Sequence, residues 1–129
     1  MSILLKKDAD ILEAIREAVE CYDGHFLGRS QWLYGNIVNI YLRNTHRHHA
    51  GDYLRTVEIA NVTVLEKYRG QGVYRDLIDF MYNLTPIGAA LFVENVLDPE
   101  QYGIYTRRDF QQYGTTCLTG SLSFIKPRI

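Results

Sequence analysis

Apolar residues recur at helical spacing in two stretches of the chain. Between Asp8 and Cys21 they fall three or four residues apart, which predicts an amphipathic helix whose first turn Asp8 or Asp10 can cap. From near Gly72 to just before Pro86 the same spacing returns. A second helix is therefore expected there, since the residue before a proline is a common helix boundary.

Branched and aromatic residues mark the strands. Residues 36–43 and 53–64 are rich in both types and predict two strands, with the polar cluster 44–52 as the turn between them. Residues 89–96 form an apolar run without alternation, which is typical of a strand covered on both faces. The tail from 115 to 125 predicts one or two further strands.

A third helix and an irregular segment complete the pattern. Asp98 precedes a proline, and with Gln101 it forms a capping-box pattern that opens a helix running to about Phe110. Residues 23–35 contain three glycines without a clear period and are predicted to be a loop, with a short helix as the alternative. No repeat or linker interrupts the chain, so we expect one mixed α/β domain over residues 1–129.

Composition narrows the function classes. The 129 residues are 47% hydrophobic, which suffices for a buried core, and the net charge of -1 gives no reason to expect a nucleic-acid partner. No run of about 18 apolar residues is present, so no membrane partner is expected. Two cysteines are too few for a disulfide framework. We expect a cytoplasmic protein with reduced thiols.

The most informative passage is a glycine loop between a strand and a helix. Arg69, Gly70 and Gly72 lie at this junction, where glycines allow close approach of a ligand and the free amides of the helix favour an anion such as phosphate. The loop lacks the Gly-Lys-Ser/Thr of a nucleotide-binding P-loop and the third glycine of the dinucleotide fingerprint. An ordinary tight turn is the other interpretation.

Two motifs together resemble the GNAT superfamily of N-acetyltransferases. Residues 62–77, V-T-V-L-E-K-Y-R-G-Q-G-V-Y-R-D-L, are similar to its acetyl-CoA-binding signature, and residues 98–110, D-P-E-Q-Y-G-I-Y-T-R-R-D-F, to its downstream helix with a tyrosine. The resemblance covers residues 58 to 110. It implies a GNAT-like mixed central sheet with flanking helices, acetyl-CoA as cosubstrate, and direct attack of an amine on the thioester.

The resemblance also implies the cofactor-binding residues. The pyrophosphate would lie on the backbone amides of residues 69–74, and the thioester beside the strand at 62–64, whose amides can stabilise an oxyanion. The residues implied are Val62, Val64, Arg69, Gly70, Gln71, Gly72, Val73, Tyr74 and Asp98. Arg107 or Arg108 could contact the 3′-phosphate of CoA or face water.

Two further residues match catalytic positions of the family. Tyr105 stands where a tyrosine protonates the departing thiolate, and a core tyrosine is its alternative. Glu58 lies eleven residues before Arg69. At this position several members of the family have a glutamate that deprotonates the amine. A solvent-facing strand residue is the alternative for Glu58.

Two departures from the family pattern keep a second function open. Tyr74 stands where the family usually has glycine or alanine, and Asp98 stands where it has asparagine. The alternative to an enzyme is a non-catalytic GNAT-fold binding or structural module. For an enzyme, the acceptor is a small-molecule or protein amine, and a homodimer is a possible assembly.

A cluster of histidines is a candidate metal site. His46, His48 and His49 fall in the polar segment, but no cysteine or carboxylate accompanies them at a familiar ligand spacing. A solvated turn is the favoured interpretation, and no metal is predicted.

Overall fold

The computed structural model describes residues 3–20, 29–96, 98–114 and 121–129. The helices are α1 (Ile3–Lys6), α2 (Ala9–Glu20), α3 (Val73–Leu84) and α4 (Tyr102–Thr106), with 3₁₀ turns at Glu66–Tyr68 and Pro99–Gln101. The strands are β1 (Arg29–Tyr34), β2 (Val38–His49), β3 (Asp52–Val64), β4 (Ala90–Val96), β5 (Gln111–Tyr113) and β6 (Leu122–Pro127). Among the described residues, no helix is long and apolar enough to cross a membrane.

The six strands form one mixed sheet in the order β1-β2-β3-β4-β6-β5. All neighbours are antiparallel except β3 and β4, which run parallel. Their pairing covers only residues 56–59 of β3 and 90–93 of β4, although both strands continue beyond it. The sheet therefore opens between β3 and β4.

A β-bulge lies at the same place. Tyr41 of β2 pairs with Asn61, while the next residue, Leu42, pairs with Ile59. Ala60 is thus an extra residue on β3, and such a residue locally bends and twists its strand. The bulge directly follows the last pair between β3 and β4, so it coincides with the point where these strands part.

Helices α2 and α3 cover one face of the sheet. Their buried side chains recur at the predicted three- and four-residue steps, and burial of each aliphatic side chain contributes about 1.5–3 kcal/mol to folding. The helical core residues are Ile11, Ile15, Val19, Val73, Leu77, Ile78, Phe80 and Met81. Both helix predictions are confirmed, α2 as far as Glu20, since Cys21 lies outside the described residues.

The predicted strand at 89–96 is confirmed as β4, which is buried on both faces. Leu91 and Val93 belong to the helix-covered core, whereas Ala90 and Phe92 form a second cluster on the opposite face together with Ile125 of β6. This arrangement explains why the sequence of β4 shows no alternation. The predicted strand 53–64 is confirmed as β3.

The turn predicted at 44–52 is wrong. Strand β2 continues to His49, and only Ala50 and Gly51 form the turn, with φ of 50° and 86°. Two consecutive residues with positive φ are what a tight hairpin between twisted strands requires. The polar residues adopt an extended strand conformation because each one pairs with a residue of β3. Asn44 is buried, and its side-chain amide donates a hydrogen bond to the Ala18 carbonyl.

Two other segment predictions need correction. Residues 29–34 of the predicted loop are the edge strand β1, whereas 23–28 lie outside the described residues. The helix predicted to Phe110 is a 3₁₀ turn followed by the short α4, because Asp109 takes a positive φ of 61°. Of the predicted tail strands, β6 is present, and 115–120 are not described.

The start of α2 is tied to the sheet by Asp8. Its side chain does not cap the helix as predicted but accepts a 2.8 Å hydrogen bond from the amide of Ile37, while its backbone carbonyl accepts from Ile11 and Leu12. A Cβ on Gly35 would lie 2.4 Å from Asp8 Oδ2. The link between helix and sheet therefore depends on a glycine.

Candidate functional site

Helix α3 begins with an open N-terminus. Its N-cap, Gly72, has φ of 83° and offers no side chain as a cap. The Asp76 amide is the one that bonds back to the Gly72 carbonyl, at 3.1 Å. The amides of residues 73–75 therefore point past the end of the helix, where the helix dipole also favours negative charge.

A groove of about 810 Å³ surrounds this helix end. Eight of the nine predicted cofactor-binding residues line it; the exception is Gln71, whose side chain donates to the Lys67 carbonyl. The lining consists of Val62, Thr63, Val64, Tyr68, Arg69, Gly70, Gly72, Val73, Tyr74, Arg75, Asp98, Glu100, Gln101, Ile104 and Arg107.

The groove carries more positive than negative side chains. Arg69, Arg75 and Arg107 line it, against the carboxylates of Asp98 and Glu100. The Arg69 Nε donates a 2.8 Å hydrogen bond to the carbonyl of Val64, the last residue of β3, so this guanidinium is held at the end of the strand. An anion in the groove would meet a local excess of positive charge, although the whole chain has a net charge of -1.

The two arginines considered for the 3′-phosphate differ in their surroundings. Arg107 lines the groove. Arg108 instead forms two hydrogen bonds to Asp79 of α3, at 2.6 and 3.1 Å, and these raise the pKa of the Arg108 guanidinium. Arg108 thus joins α4 to α3, and Arg107 is the cation available to a ligand.

A second cavity of about 220 Å³ lies where β3 and β4 part. Its walls include Ile59, Ala60 and Asn61 of β3 and Val93 and Glu94 of β4. It shares four wall residues with the groove: Val62, Tyr74, Asp98 and Gln101. The groove at the helix end and the opening in the sheet therefore adjoin, and we call the two together the cleft.

Tyr105 lies behind the cleft. Its ring is fully buried, stacked on Phe124 with ring centroids 4.7 Å apart and edge-on to Phe110 at 5.3 Å. Its hydroxyl is hydrogen-bonded to the hydroxyl of Tyr74. Burial raises the pKa of Tyr105, and the neighbouring Tyr74 raises it further.

Tyr74 lies between Tyr105 and the cleft. It lines both cavities, and its ring meets that of Tyr105 edge to face. Burial raises the pKa of Tyr74, whereas the hydrogen bond with Tyr105 acts in the opposite direction. The two tyrosines that the sequence singled out thus form one hydrogen-bonded pair.

Glu58 is fully buried on the other face of the sheet. Its carboxylate accepts hydrogen bonds from Arg47 at 2.6 and 3.1 Å, from Arg43 at 3.4 Å and from the Thr56 hydroxyl at 2.7 Å. The Arg47 guanidinium lies 3.9 Å from the centre of the Phe92 ring. Glu58 lines neither cavity of the cleft.

Glu94 is the carboxylate that reaches the cleft. It lines the second cavity with 26% of its side chain exposed, and its Oε2 accepts a 3.1 Å hydrogen bond from Arg43. Arg43 therefore joins the buried Glu58 to Glu94. The sequence contains a signal for this residue, because Glu94 is the one charged residue of a mostly apolar strand.

Comparison with solved structures identifies the fold. An acetyltransferase of Bacillus subtilis in complex with CoA matches 96% of this chain and 93% of its own, with a TM-score of 0.51 and 15% sequence identity. The chain has the GNAT fold. This confirms the fold expected from the two motifs; at 15% identity the likeness concerns fold alone.

Other matches are partial. Arabidopsis thaliana NAA60 in complex with a bisubstrate analogue shares 15% identity over 69% of this chain and 63% of its own, with a TM-score of 0.49. A mutant AtaT toxin bound to acetyl-CoA and to the C-terminus of the antitoxin AtaR shares 13% identity over 70% and 58%, also with a TM-score of 0.49. This chain thus spans less than two thirds of either. No protein-family model and no curated protein matches the sequence.

Within this GNAT fold, the predicted cofactor-binding residues and the predicted catalytic residues differ in their position relative to the cleft. The cofactor residues line the cleft with the exception of Gln71, whereas Tyr105 and Glu58 both lie behind its walls. Several cleft residues could not be identified from the sequence, and those with polar side chains that matter most for a ligand are Arg75, Gln101 and Glu94. Arg75 and Gln101 belong to the two motif segments, so only their side-chain directions were unknown.

The histidine cluster packs against an aromatic ring. His46 and His48 lie 5.3 and 4.6 Å from the ring of Tyr53 across the hairpin. In the parts of the chain that the structure describes, which exclude Cys21 and Cys117, no three histidine, cysteine or acidic residues lie close enough together to hold a metal.

Proposed function

We propose that this chain is an acetyl-CoA-dependent N-acetyltransferase that moves an acetyl group to an amine by direct attack. The observation that carries the proposal is the continuity of the cleft, which leads from the open N-terminus of α3 to the opening between β3 and β4. The Bacillus subtilis acetyltransferase with the same fold was solved with CoA, which supports the same ligand here.

The helix end of the cleft suits the pyrophosphate of CoA. The free amides of residues 73–75 and the helix dipole attract a doubly charged group, and Arg69 and Arg75 add positive charge. Arg107 would bind the 3′-phosphate, and the pantetheine arm would run past Val62 toward the opening in the sheet. Asp98 and Glu100 border the same path, so the arginines must outweigh two carboxylates.

The opening between the strands suits the thioester. There the amine nitrogen would form a bond to the carbonyl carbon, and the C–S bond would then break, with its electron pair left on sulfur. The unpaired edge of β3 near Val62 and the bulge at Ala60 can turn backbone amides toward the developing oxyanion. The proton for sulfur would come from the tyrosine pair, in which Tyr105 holds the family's position.

The attacking amine must also lose a proton. The resemblance names Glu58 as the base, but its four hydrogen bonds from Arg43, Arg47 and Thr56 occupy both oxygens. We assign proton acceptance to Glu94, which borders the opening. In this assignment Glu58 positions Arg43, and Arg43 in turn positions Glu94.

Titration with CoA in a calorimeter tests this function. We expect saturable binding, and we expect Arg107→Ala to weaken binding of CoA but not of dephospho-CoA, which lacks the 3′-phosphate. Arg108→Ala is the matched control, because it removes the same charge from a residue that pairs with Asp79 instead. If the chain does not bind CoA at millimolar concentration, measured at two temperatures so that a binding enthalpy near zero is not mistaken for absence of binding, the enzyme is excluded and the non-catalytic GNAT-fold module is favoured.

The amine acceptor, small molecule or protein, is read from a second assay. Release of CoA thiol from acetyl-CoA is followed with a panel of primary amines that includes lysine and peptide amino termini. Turnover with one of these classes would identify the acceptor. The cytoplasmic location and the homodimer are not addressed by this assay and stay predictions. A chain that binds CoA yet turns over no amine would be a CoA-binding module.

A further inference from the structure

Only one tyrosine of the bonded pair borders the cleft. Tyr105 is fully buried and is absent from the walls of both cavities, whereas Tyr74 forms part of the wall at the place where the two cavities join. The sole described contact between the Tyr105 hydroxyl and the cleft is the hydrogen bond to Tyr74. A proton that leaves this pair for the cleft therefore leaves from Tyr74.

Either hydroxyl can be the donor in the hydrogen bond between Tyr74 and Tyr105. When the Tyr105 hydroxyl donates to the Tyr74 oxygen, the Tyr74 proton is free to point elsewhere, and its phenolate would gain a donor. In this arrangement the hydrogen bond lowers the pKa of Tyr74, against the larger effect of burial, which raises it. For Tyr105, burial and the contact with Tyr74 both raise the pKa.

Given the acetyltransferase function proposed above, we propose that Tyr74 contacts the thioester sulfur and protonates it, and that Tyr105 is a positioning residue that acts through Tyr74. As the C–S bond breaks, sulfur keeps the electron pair and takes the proton of the Tyr74 hydroxyl. The Tyr74 phenolate keeps the O–H electron pair, is stabilised by the Tyr105 hydroxyl, and is reprotonated from water in the groove. The proton of the amine leaves separately, to Glu94.

The bulk of Tyr74 does not fill the cleft. The groove of about 810 Å³ and the cavity of about 220 Å³ both exist with the Tyr74 side chain in place as a wall. The ring packs partly against the core, and the edge-to-face contact with Tyr105 fixes its orientation. A larger residue at this position is therefore compatible with a ligand and adds a hydroxyl that glycine or alanine lacks.

Hydroxyl deletions test the assignment. The variants are Tyr74→Phe, Tyr105→Phe and the double variant, with Tyr82→Phe as the matched control, since Tyr82 also lies on α3 and loses one hydrogen bond, to the Pro127 carbonyl. We expect Tyr74→Phe to lower kcat for thiol release about 100-fold with unchanged CoA affinity. Tyr105→Phe should lower kcat about 10-fold, and the double variant should match Tyr74→Phe, because Tyr105 acts only through Tyr74.

A second readout needs no acceptor. The thiol of bound CoA is titrated in the ultraviolet, where the thiolate absorbs. A hydroxyl that donates to sulfur stabilises the thiolate, so the pKa of the bound thiol should rise in Tyr74→Phe, rise less in Tyr105→Phe and stay unchanged in Tyr82→Phe. Asp98 borders the same cavities in every variant and does not alter this comparison.

Three results would overturn the assignment. If Tyr105→Phe lowers kcat more than Tyr74→Phe, Tyr105 reaches the sulfur itself. If Tyr74→Phe behaves like Tyr82→Phe in both readouts, its hydroxyl has no role. If Tyr74→Phe binds CoA more tightly and turns over faster, the side chain obstructs the site. If the wild-type chain binds no CoA, the proposed acetyltransferase function itself is wrong. This result is distinct from the three above, which concern only the role of Tyr74.

Discussion

At the scale of single residues, the two carboxylates near the cleft have different environments. Glu58 is fully buried and held by two arginines and a threonine, whereas Glu94 is partly exposed and shares only Arg43 with that network. Burying a charge is costly unless its partners are in place, so removing one member of this buried network should destabilise the fold. A partly exposed carboxylate can exchange protons with a bound amine.

Glutamine substitutions separate these roles. Glu58→Gln leaves Arg47 and Arg43 without their buried counter-charge, and we expect the free energy of unfolding to fall by about 3 kcal/mol. Glu94→Gln should change the stability by less than about 1 kcal/mol and lower kcat about 100-fold with unchanged CoA affinity. Urea denaturation and thiol release measure the two effects. A stable Glu58→Gln with low kcat, beside an active Glu94→Gln, would return the base to Glu58.

At the scale of elements, the junction of α2 with the β1–β2 turn depends on close packing. The Asp8 carboxylate reaches the amides of the turn, and Gly35 leaves the room for it. A Cβ at this position would also lie 2.6 Å from the Val38 carbonyl oxygen. The contact holds α2 against the start of β2, which farther along pairs with β3 at the bulge.

Gly35→Ala should therefore destabilise the chain. The added methyl group must push the backbone or Asp8 aside, and we expect a loss of about 1–3 kcal/mol in the free energy of unfolding, the usual range for overpacking. Gly103→Ala is the control, because a Cβ there meets only the flexible end of Arg107. Thermal and urea denaturation measure both variants, and equal stability of the two would contradict this account.

The elements that could be predicted from sequence are those with strong periodicity or clear punctuation. Helix α3 and strand β4 follow from apolar spacing, glycine and proline. The second half of β2 could not be predicted, because Thr45 to His49 are polar and extend only through pairing with β3. The length of α4 also escaped prediction, since its end depends on the positive φ of Asp109.

The candidate site divides in the same way. The groove follows from short contiguous motifs, whose residues stay together in any fold that keeps the strand, loop and helix. The Tyr74–Tyr105 bond joins residues 31 positions apart, and the burial of Glu58 depends on Arg43, 15 positions away. Such contacts depend on how the strands and helices pack, which no local pattern encodes.

At the scale of the whole molecule, the opening between β3 and β4 can be reached from both faces of the sheet. The groove approaches the opening from the side of α3, whose N-terminus and Tyr74 form its wall. Glu94 and the Arg43 network lie on the same face as Phe92, opposite the helix-covered core. A cosubstrate bound from the helix side and an amine arriving from the other side would meet between β3 and β4.

A crystal structure of the chain with acetyl-CoA tests this arrangement most directly. We predict that the pyrophosphate lies on the amides of residues 73–75, that the thioester lies between Ala60 and Val93, and that the Tyr74 hydroxyl is within hydrogen-bonding distance of the sulfur. The account would be contradicted by acetyl-CoA bound outside the cleft, or by a Tyr74 ring that occupies the thioester position and excludes the ligand.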